Sequence, residues 1–221
     1  MIGLSAAVSS VPRMDDEAVQ RERKRTATRA ALSEAAMRLA LRQGVQYVTA
    51  DAIAVAAGIA PGTFRNYFAS KEEAIVAPLL AQGRYFADLV RARPAGEPVW
   101  DSLRHAGMTM LSAPAEQMKA LHDRLHLIRS HAALFAQHLT VFDESERLLA
   151  EAIADRVGLD AAADAYPRLQ AGAAVLAMRI ALDLWATGKS TGSLPDLTAG
   201  ALDDVRAGLL QPGRPALAAT S

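Results

Sequence analysis

The stretch VTADAIAVAAGIAPGTFRNYFASKEEA, residues 48–74, decides the fold of this chain. Thr49 suits the cap of a short helix over 50–57, and Gly58 suits its end. Pro61 stands where the first turn of a following helix would begin. Two short helices joined by a turn that contains glycine have the spacing of a helix-turn-helix.

A longer helix is predicted in front of this pair, and another behind it. The apolar side chains in 25–43 recur at one-turn spacing, which predicts an α-helix with one apolar face. They are Leu32, Ala35, Ala36, Leu39 and Ala40. Behind the pair, Ser70 and Glu73 form the S-x-x-E pattern of a capping box, which predicts a new helix start.

Helical periodicity continues through the rest of the chain, and strand signals are absent. Helices are predicted over 71–92, 98–112, 114–129, 131–157, 165–188 and 195–210. The expected fold is therefore all-α, with about nine helices. We expect disordered tails over 1–20 and 212–221, a helix-turn-helix domain over 21–70, and a helical domain over 71–211.

The composition limits the kind of protein and the kind of site. The 221 residues are 51% hydrophobic and include no cysteine, which excludes disulfides, thiolate metal sites and a cysteine nucleophile. The apolar stretch 2–11 lacks the basic start of a signal peptide. The stretch 171–187 carries Arg179 and Asp183, each costing roughly 2.5–3.5 kcal/mol at a bilayer centre. We expect a soluble cytoplasmic protein.

Charge is unevenly distributed along the chain. The formal net charge is zero, yet residues 21–42 hold seven cations and two anions, so this segment is +5 and the remainder −5. Such a run often marks only a solvated helix face. Beside a helix-turn-helix it also suits phosphate neutralisation, which dominates affinity for DNA.

The stretch 48–74 closely resembles the DNA-binding domain of TetR-family regulators. In that family an alanine-rich helix, a glycine, a short recognition helix and an F-x-S-K-E segment follow one another. The resemblance implies a homodimer that reads a palindromic operator in double-stranded DNA and releases it when a ligand enters the C-terminal domain. It therefore implies DNA binding by 21–70, and ligand binding and dimerisation by 71–211.

The resemblance also implies roles for single residues. Bases are contacted from Pro61, Gly62 and Arg65, and phosphates from Thr49, Thr63, Tyr67 and Lys71. Ala60 and Asn66 are expected on the same outer surface, whereas Ile53, Ala57, Ile59, Phe64 and Phe68 are expected to face inward. The family usually has Ser or Thr in place of Ala60, so the helix cap is weaker here. The family usually has Tyr or Phe in place of Arg65. The arginine of this chain is expected either to hydrogen-bond to a guanine base or to bind a phosphate.

The segment 169–187 is apolar on almost every side, so we expect it to be covered on most sides. Its two charged residues, Arg179 and Asp183, are predicted to pair with each other or across an interface. The resemblance implies that a second copy of this chain would cover one face of this helix and an apolar stripe on the helix that follows it. The predicted interface residues are Leu169, Gly172, Ala173, Leu176, Ala177, Ile180, Leu184, Leu197, Ala201 and Val205. The alternative is a central helix buried within one subunit.

Three further segments resemble the C-terminal domain of an actinobacterial TetR subgroup that binds acyl-CoA-like ligands. They are LHLIRSHAALFAQHL, 125–139, RLLAEAIADRVGLD, 147–160, and the end of an alanine-rich helix, LDLWATG, 182–188. The resemblance implies a tunnel for a small apolar or amphipathic effector, with acyl-CoA favoured, and Arg124 or Arg129 as partner of its head group. Both arginines alternatively pair with Asp123, Glu116 or Glu144. The candidate ligand residues are Phe86, Trp100, Met108, Leu111, Leu125, Ile128, Arg129, Phe135, Phe142, Met178 and Trp185.

Other functions have weaker support in the sequence. His122 and His126 would lie on one helix face, but no third ligand stands at helical spacing, so no metal or other cofactor is expected. No nucleophile motif, phosphate-binding glycine loop or pair of carboxylates indicates an enzyme. The main alternative is an all-helical ligand-binding or protein-interaction module without sequence-specific DNA binding.

Overall fold

The structure, a computed structural model, describes residues 14–209, and this part of the chain is helical with no strand. In chain order the helices are α1 Met14–Gln43, α2 Ala50–Ala56, α3 Lys71–Arg91, α4 Val99–Leu111, α5 Ala115–Arg129, α6 Ala132–Val157, α7 Ala165–Ala186 and α8 Leu194–Arg206. Single-turn 3-10 helices, Val45–Tyr47 and Thr63–Asn66, stand on either side of α2. The predicted all-α fold is confirmed, with eight α-helices between residues 14 and 209.

The first helix is longer than the sequence predicts. It begins at Met14, so residues 14–20 extend α1 and do not belong to a disordered tail. Residues 18–27 are exposed without interruption. This part of α1 therefore contributes no buried side chain to the core. The rest of the predicted tails, 1–13 and 212–221, lies outside the described residues.

One apolar core joins the N-terminal helices to α5 and α6. Leu32 of α1, Ile53 of α2 and Phe64 of the second 3-10 helix belong to the same buried cluster as Ile128 of α5 and Leu134 of α6. Each is at most 2% exposed, and burying such a side chain contributes roughly 1.5–3 kcal/mol. The N-terminal helices therefore share one densely packed core with α5 and α6.

A second apolar core lies in the C-terminal half and connects α3, α4, α6, α7 and α8. Its buried members include Phe86, Leu103, Ile153, Ala174 and Leu202. Small residues dominate the part supplied by α7, which lets the neighbouring helices approach closely.

Helix α7 is long and apolar enough to span a membrane by length and composition alone. A single helix of this kind is weak evidence, since core helices of soluble proteins have the same properties. Here α7 packs against α6 and α8, and its Asp183 forms an ion pair with Arg129 of α5. The helix is therefore part of the bundle.

Candidate DNA-binding surface and ligand cavity

Helix α2 begins and ends as its sequence predicts. The Oγ1 of Thr49 accepts a hydrogen bond from the backbone N–H of Ala52, at 3.2 Å. At the other end Gly58 adopts a φ of 71°, and the N–H of Ile59 donates to the carbonyl of Ala54 at 2.9 Å. This is the Schellman pattern, which needs a residue without Cβ strain at the left-handed position. It fixes the direction in which the chain leaves α2.

The recognition segment is shorter than predicted. Gly62 has φ 83° and ψ −19°, and the N–H of Thr63 donates to the carbonyl of Ala60 at 3.2 Å. With Pro61 before the glycine, this geometry is a type II turn. A left-handed residue cannot continue an α-helix, so the helix expected to begin at Pro61 is wrong in extent. Only one 3-10 turn, Thr63–Asn66, remains of it.

A carboxylate of α2 holds this turn in place. The N–H of Gly62 donates to Oδ1 of Asp51 at 3.2 Å, and Asp51 lies in the first turn of α2. Beneath the turn, the rings of Phe64 and Phe68 contact each other with centroids 5.6 Å apart. Both are 2% exposed, as the sequence predicts. The turn is therefore fixed from its α2 side and from below.

The predicted DNA-binding residues differ in how far their side chains are exposed to solvent. Thr49, Ala60, Pro61, Gly62, Arg65 and Asn66 are exposed, whereas Thr63, Tyr67 and Lys71 are partly buried. Within the described part of the chain the Arg65 guanidinium has no ion pair or hydrogen bond. Its cationic group is therefore available to a partner in solution.

Lys71 has a structural function that the sequence does not predict. Its Nζ donates to the carbonyls of Val45, at 2.7 Å, and Val48, at 3.1 Å. These carbonyls belong to the segment between α1 and α2, so Lys71 ties the start of α3 to it. An ammonium has three N–H donors, which leaves one for a phosphate.

Arg29 likewise contributes to the architecture. Its guanidinium lies 4.1 Å from the ring centre of Phe68 and donates to the carbonyl of Tyr67 and, at 3.0 Å, to Glu73. Glu73 also accepts from the N–H of Ala69 at 2.8 Å. Together with the bond from the Glu73 N–H to Ser70, this forms the predicted cap of α3. The other cations of the basic segment are exposed: Arg21, Arg23, Lys24, Arg25, Arg38 and Arg42.

Two neighbouring spaces lie among the C-terminal helices and share part of their lining. The first, here called the inner cavity, has a volume of about 80 Å³ and is lined by residues of α3 to α8. Its wall includes Gly83 of α3, where a Cβ would lie only 2.3 Å from Oγ of Ser145 on α6. Glycine at this position therefore permits α3 and α6 to approach closely.

The second space, here called the outer groove, has a volume of about 310 Å³ and lies between α5, α6 and α7. It contains the Arg129–Asp183 ion pair and Arg179. Three side chains, His138, Phe142 and Leu182, line both spaces. We call these three residues the neck.

Most of the predicted ligand residues line these spaces. Phe86, Leu111 and Met178 line the inner cavity, Leu125, Arg129 and Phe135 line the outer groove, and Phe142 lines both. Trp100, Met108, Ile128 and Trp185 line neither. Ile128 is buried in the N-terminal core, Trp100 packs on the second core, and Trp185 contacts His122 edge-on at 5.3 Å. His138 and Leu182 are not among the predicted ligand residues. Leu182 follows apolar helical spacing, which predicts only core packing, and His138 belongs to a group of four histidines that predicts no ligand contact.

The predicted partners of the arginines are corrected by the structure. Arg129 pairs with Asp183, so neither the predicted Arg179–Asp183 pair nor the alternative acidic partners form. Arg124 lines neither space. Its guanidinium is buried and donates to the carbonyl of Ile75 and, at 3.1 Å, to Glu34. Burial lowers the pKa of Arg124, and Glu34 opposes that shift.

The predicted dimer face is partly exposed. Leu169, Leu176, Ile180 and Leu184 of α7 are 36–69% exposed, and large apolar side chains exposed in a row mark an interaction surface. Ala177 does not belong to this face, because it is 2% exposed within the subunit's own core. Gly172, Ala173, Leu197, Ala201 and Val205 are partly buried.

Two family models match separate parts of the chain. Residues 32–77 match the family model "Bacterial regulatory proteins, tetR family", and residues 97–210 match that of the "MftR C-terminal domain". The HTH-type transcriptional regulator TcmR of Streptomyces glaucescens is 34% identical over 154 residues, which is 67% of this chain and 68% of TcmR.

Two solved structures have a similar fold. Thermus thermophilus FadR, a transcriptional repressor in complex with lauroyl-CoA, has a TM-score of 0.52 and 23% identity over 86% of this chain and 98% of its own. The fatty acid degradation regulator FadR of Bacillus halodurans has a TM-score of 0.50 and 20% identity over 82% and 96% of the two chains.

Proposed function

Because this chain belongs to the TetR family of bacterial transcriptional regulators, we propose that it is a homodimeric repressor. It binds a palindromic operator through the segment around Arg65 and leaves the operator when a small amphipathic molecule occupies the inner cavity and outer groove. The proposal requires no catalytic residue and no cofactor. It places the protein in the cytoplasm, where bacterial DNA lies.

The exposed cation on the recognition turn is the observation that carries the proposal. Arg65 projects from Thr63–Asn66 without a partner in the described structure, next to the small residues Pro61 and Gly62. Small residues let the backbone approach the base edges in a major groove, and an arginine there binds guanine O6 and N7 in bidentate fashion. Asn66 is suited to adenine by the same geometry.

Phosphate contacts are assigned to the rim of this surface. Thr49 stands at the start of α2, where backbone N–H groups and the helix dipole favour an anion. Thr63 and Tyr67 carry hydroxyl groups on the recognition segment, and Lys71 retains one donor at the start of α3. These contacts would fix the register of the protein on the duplex without reading its sequence.

The exposed side chains of α7 support the dimer. Leu169, Leu176, Ile180 and Leu184 form a row of four apolar side chains on one face, and α8 packs beside this helix. Two such helices from each subunit would form a four-helix interface. A two-fold axis there would present two recognition turns to half-sites about 34–36 Å apart, one turn of B-DNA.

The effector is assigned to the inner cavity and the outer groove. One is mainly apolar and lined by six helices, the other carries charged side chains, and the neck residues line both. An amphipathic molecule fits such a pair of environments better than a wholly polar one. An acyl-CoA remains the expectation from the family resemblance, and the similar FadR fold was solved with lauroyl-CoA.

Selection of DNA fragments by the purified full-length protein tests this function. We expect enrichment of an inverted repeat, followed by a gel shift on that repeat in nanomolar protein. The matched control is the same repeat with one half-site scrambled, to which affinity should fall by at least about tenfold. No enrichment over random fragments, or equal affinity for both duplexes, would overturn the proposal.

A further inference from the structure

The charges around the neck specify the chemistry of the effector more closely. This inference rests on the proposed function, because it assumes that the inner cavity and outer groove hold the effector. We propose that the effector is an amphipathic monocarboxylate, whose carboxylate binds Arg179 in the outer groove and whose apolar chain passes the neck into the inner cavity.

The inner cavity accepts only an uncharged part of a ligand. Among the residues that line it, the polar side chains are Gln82, His138, Ser145 and Thr198. Only His138 titrates near neutral pH, and burial lowers its pKa to about 4, so it is neutral. An ion placed in this cavity would lose its hydration without gaining a counter-ion, which is strongly unfavourable. The apolar end of the ligand therefore lies inside.

The outer groove has one cation in excess. Arg129 is neutralised by Asp183, whereas Arg179 has no acidic partner within the described residues. No other ionised side chain lines this space. A single negative charge on a ligand would therefore balance the groove, and a guanidinium binds a carboxylate through two parallel hydrogen bonds.

The position of Arg179 relative to the neck determines where that charge is located on the ligand. Its guanidinium carbon lies 5.9 Å from the ring centre of Phe142, and Phe142 lines both spaces. An anion bound to Arg179 thus lies directly outside the neck. The carboxylate must be attached to the chain end itself, as in a free fatty acid or another apolar carboxylic acid.

A coenzyme A thioester has a different charge pattern. Its thioester carbonyl is neutral, and its phosphates are separated from the acyl chain by the pantetheine arm. The head group would therefore place a neutral carbonyl beside Arg179 and several negative charges beyond it. This geometry leaves Arg179 without the counter-ion that a carboxylate supplies.

Binding of three ligands with the same chain tests the proposal: dodecanoic acid and dodecanoyl-CoA below their critical micelle concentrations, and 1-dodecanol below its solubility limit. The full-length protein is titrated by calorimetry without DNA. We expect the acid to bind at least about tenfold more tightly than the alcohol, as charge-assisted hydrogen bonds imply. Arg179→Gln should bring the ratio of the two affinities close to one, while Arg179→Lys should retain part of the preference for the acid. Arg168→Gln, an exposed arginine of α7 outside the groove, is the matched control.

The outcomes separate this inference from the proposed function. Equal binding of acid and alcohol, an unchanged acid preference in Arg179→Gln, or binding of the thioester alone would overturn the carboxylate assignment. The gel shift of the ligand-free protein on its inverted repeat is measured separately with the same samples. Loss of the carboxylate preference with an intact gel shift contradicts only this inference, whereas a failed gel shift contradicts the proposed function.

Discussion

Arg124 of α5 reaches Glu34 of α1, with 3.1 Å between Nη2 and Oε1. The same guanidinium donates to the carbonyl of Ile75, three residues before Pro78 within α3. A proline inside a helix removes one N–H donor and bends the helix. Arg124 therefore supplies an additional donor one turn before Pro78 and links this part of α3 to α1.

The neighbours of Arg124 face the ligand spaces. Leu121 lines the inner cavity and Leu125 lines the outer groove, whereas Arg124 itself contacts α1 and α3. Helix α5 thus has one side on the cavity and another on the N-terminal helices. A ligand that displaces α5 by a small distance would move Arg124, and with it the position of α1 against α3.

We predict that Arg124→Met lowers operator affinity several-fold without changing its dependence on salt. Arg124 touches no surface on which DNA would lie, so its loss changes the position of α1 and not the number of phosphates neutralised. The measurement is the affinity for the inverted repeat at several salt concentrations. Arg168→Met is the control, with no expected effect. A lower salt slope in Arg124→Met would show instead that this arginine contacts DNA.

Lys71 and Arg65 are expected to differ in the kind of DNA contact they make. Lys71→Ala should weaken binding to all sequences and reduce the salt slope by about one, whereas Arg65→Ala should relax preference at one base pair. Because Lys71 also holds the carbonyls of Val45 and Val48, its loss should lower the melting temperature as well. Affinity at several salt concentrations measures the slope, competition between single-base variants of the repeat measures the base preference, and thermal unfolding measures the melting temperature. If both variants bind as the parent does, the assigned surface is wrong.

The apolar face of α7 predicts how dimerisation is disrupted. Ile180→Glu, at a side chain that is 47% exposed, should yield a monomer that folds normally, because the new charge is desolvated only in the dimer. Light scattering coupled to gel filtration reports the mass, and circular dichroism reports the helix content. The matched control is Leu159→Glu, at a 41% exposed leucine outside the helices. A dimeric Ile180→Glu protein would place the interface elsewhere.

Folding stability should depend on the protonation of His138 in acid. Burial, with a smaller contribution from Arg129, lowers the pKa of His138 from 6.5 to about 4. Between these values the unfolded chain binds a proton that the folded chain does not. The free energy of unfolding therefore has its full value above pH 6.5 and decreases as the pH falls toward 4. Urea unfolding of His138→Leu should show a weaker pH dependence in this range, while His126→Leu, at an exposed position, should behave as the parent does.

The sequence predicts most reliably those features of the fold that depend on residues close together in the chain. The stripe around Leu32 and the caps at Thr49 and Ser70 follow from spacing within one or two helix turns. The sequence predicts too long a helix after Gly58. Pro61–Gly62 favours a type II turn, and this local preference ends the helix that the helix-turn-helix spacing predicts.

Contacts between distant residues could not be predicted in this way. Asp183 stands four residues from Arg179, yet it pairs with Arg129, 54 residues away. Arg29 and Lys71 look like surface cations in the sequence, and only the packing of α1 against α3 shows that they bind backbone carbonyls. The same limit applies to the neck, because His138, Phe142 and Leu182 meet only when α6 and α7 pack.

A recognition turn of four residues, Thr63–Asn66, has a consequence for the genome that this protein reads. So few side chains can distinguish only a handful of base pairs. This is too little sequence information to select one operator among roughly 10⁶ or more competing sites in a genome. An isolated half-site must therefore occur many times by chance and be ignored each time. The regulated genes are therefore distinguished by two short half-sites that occur in inverted orientation at one fixed spacing, a combination that is rare by chance.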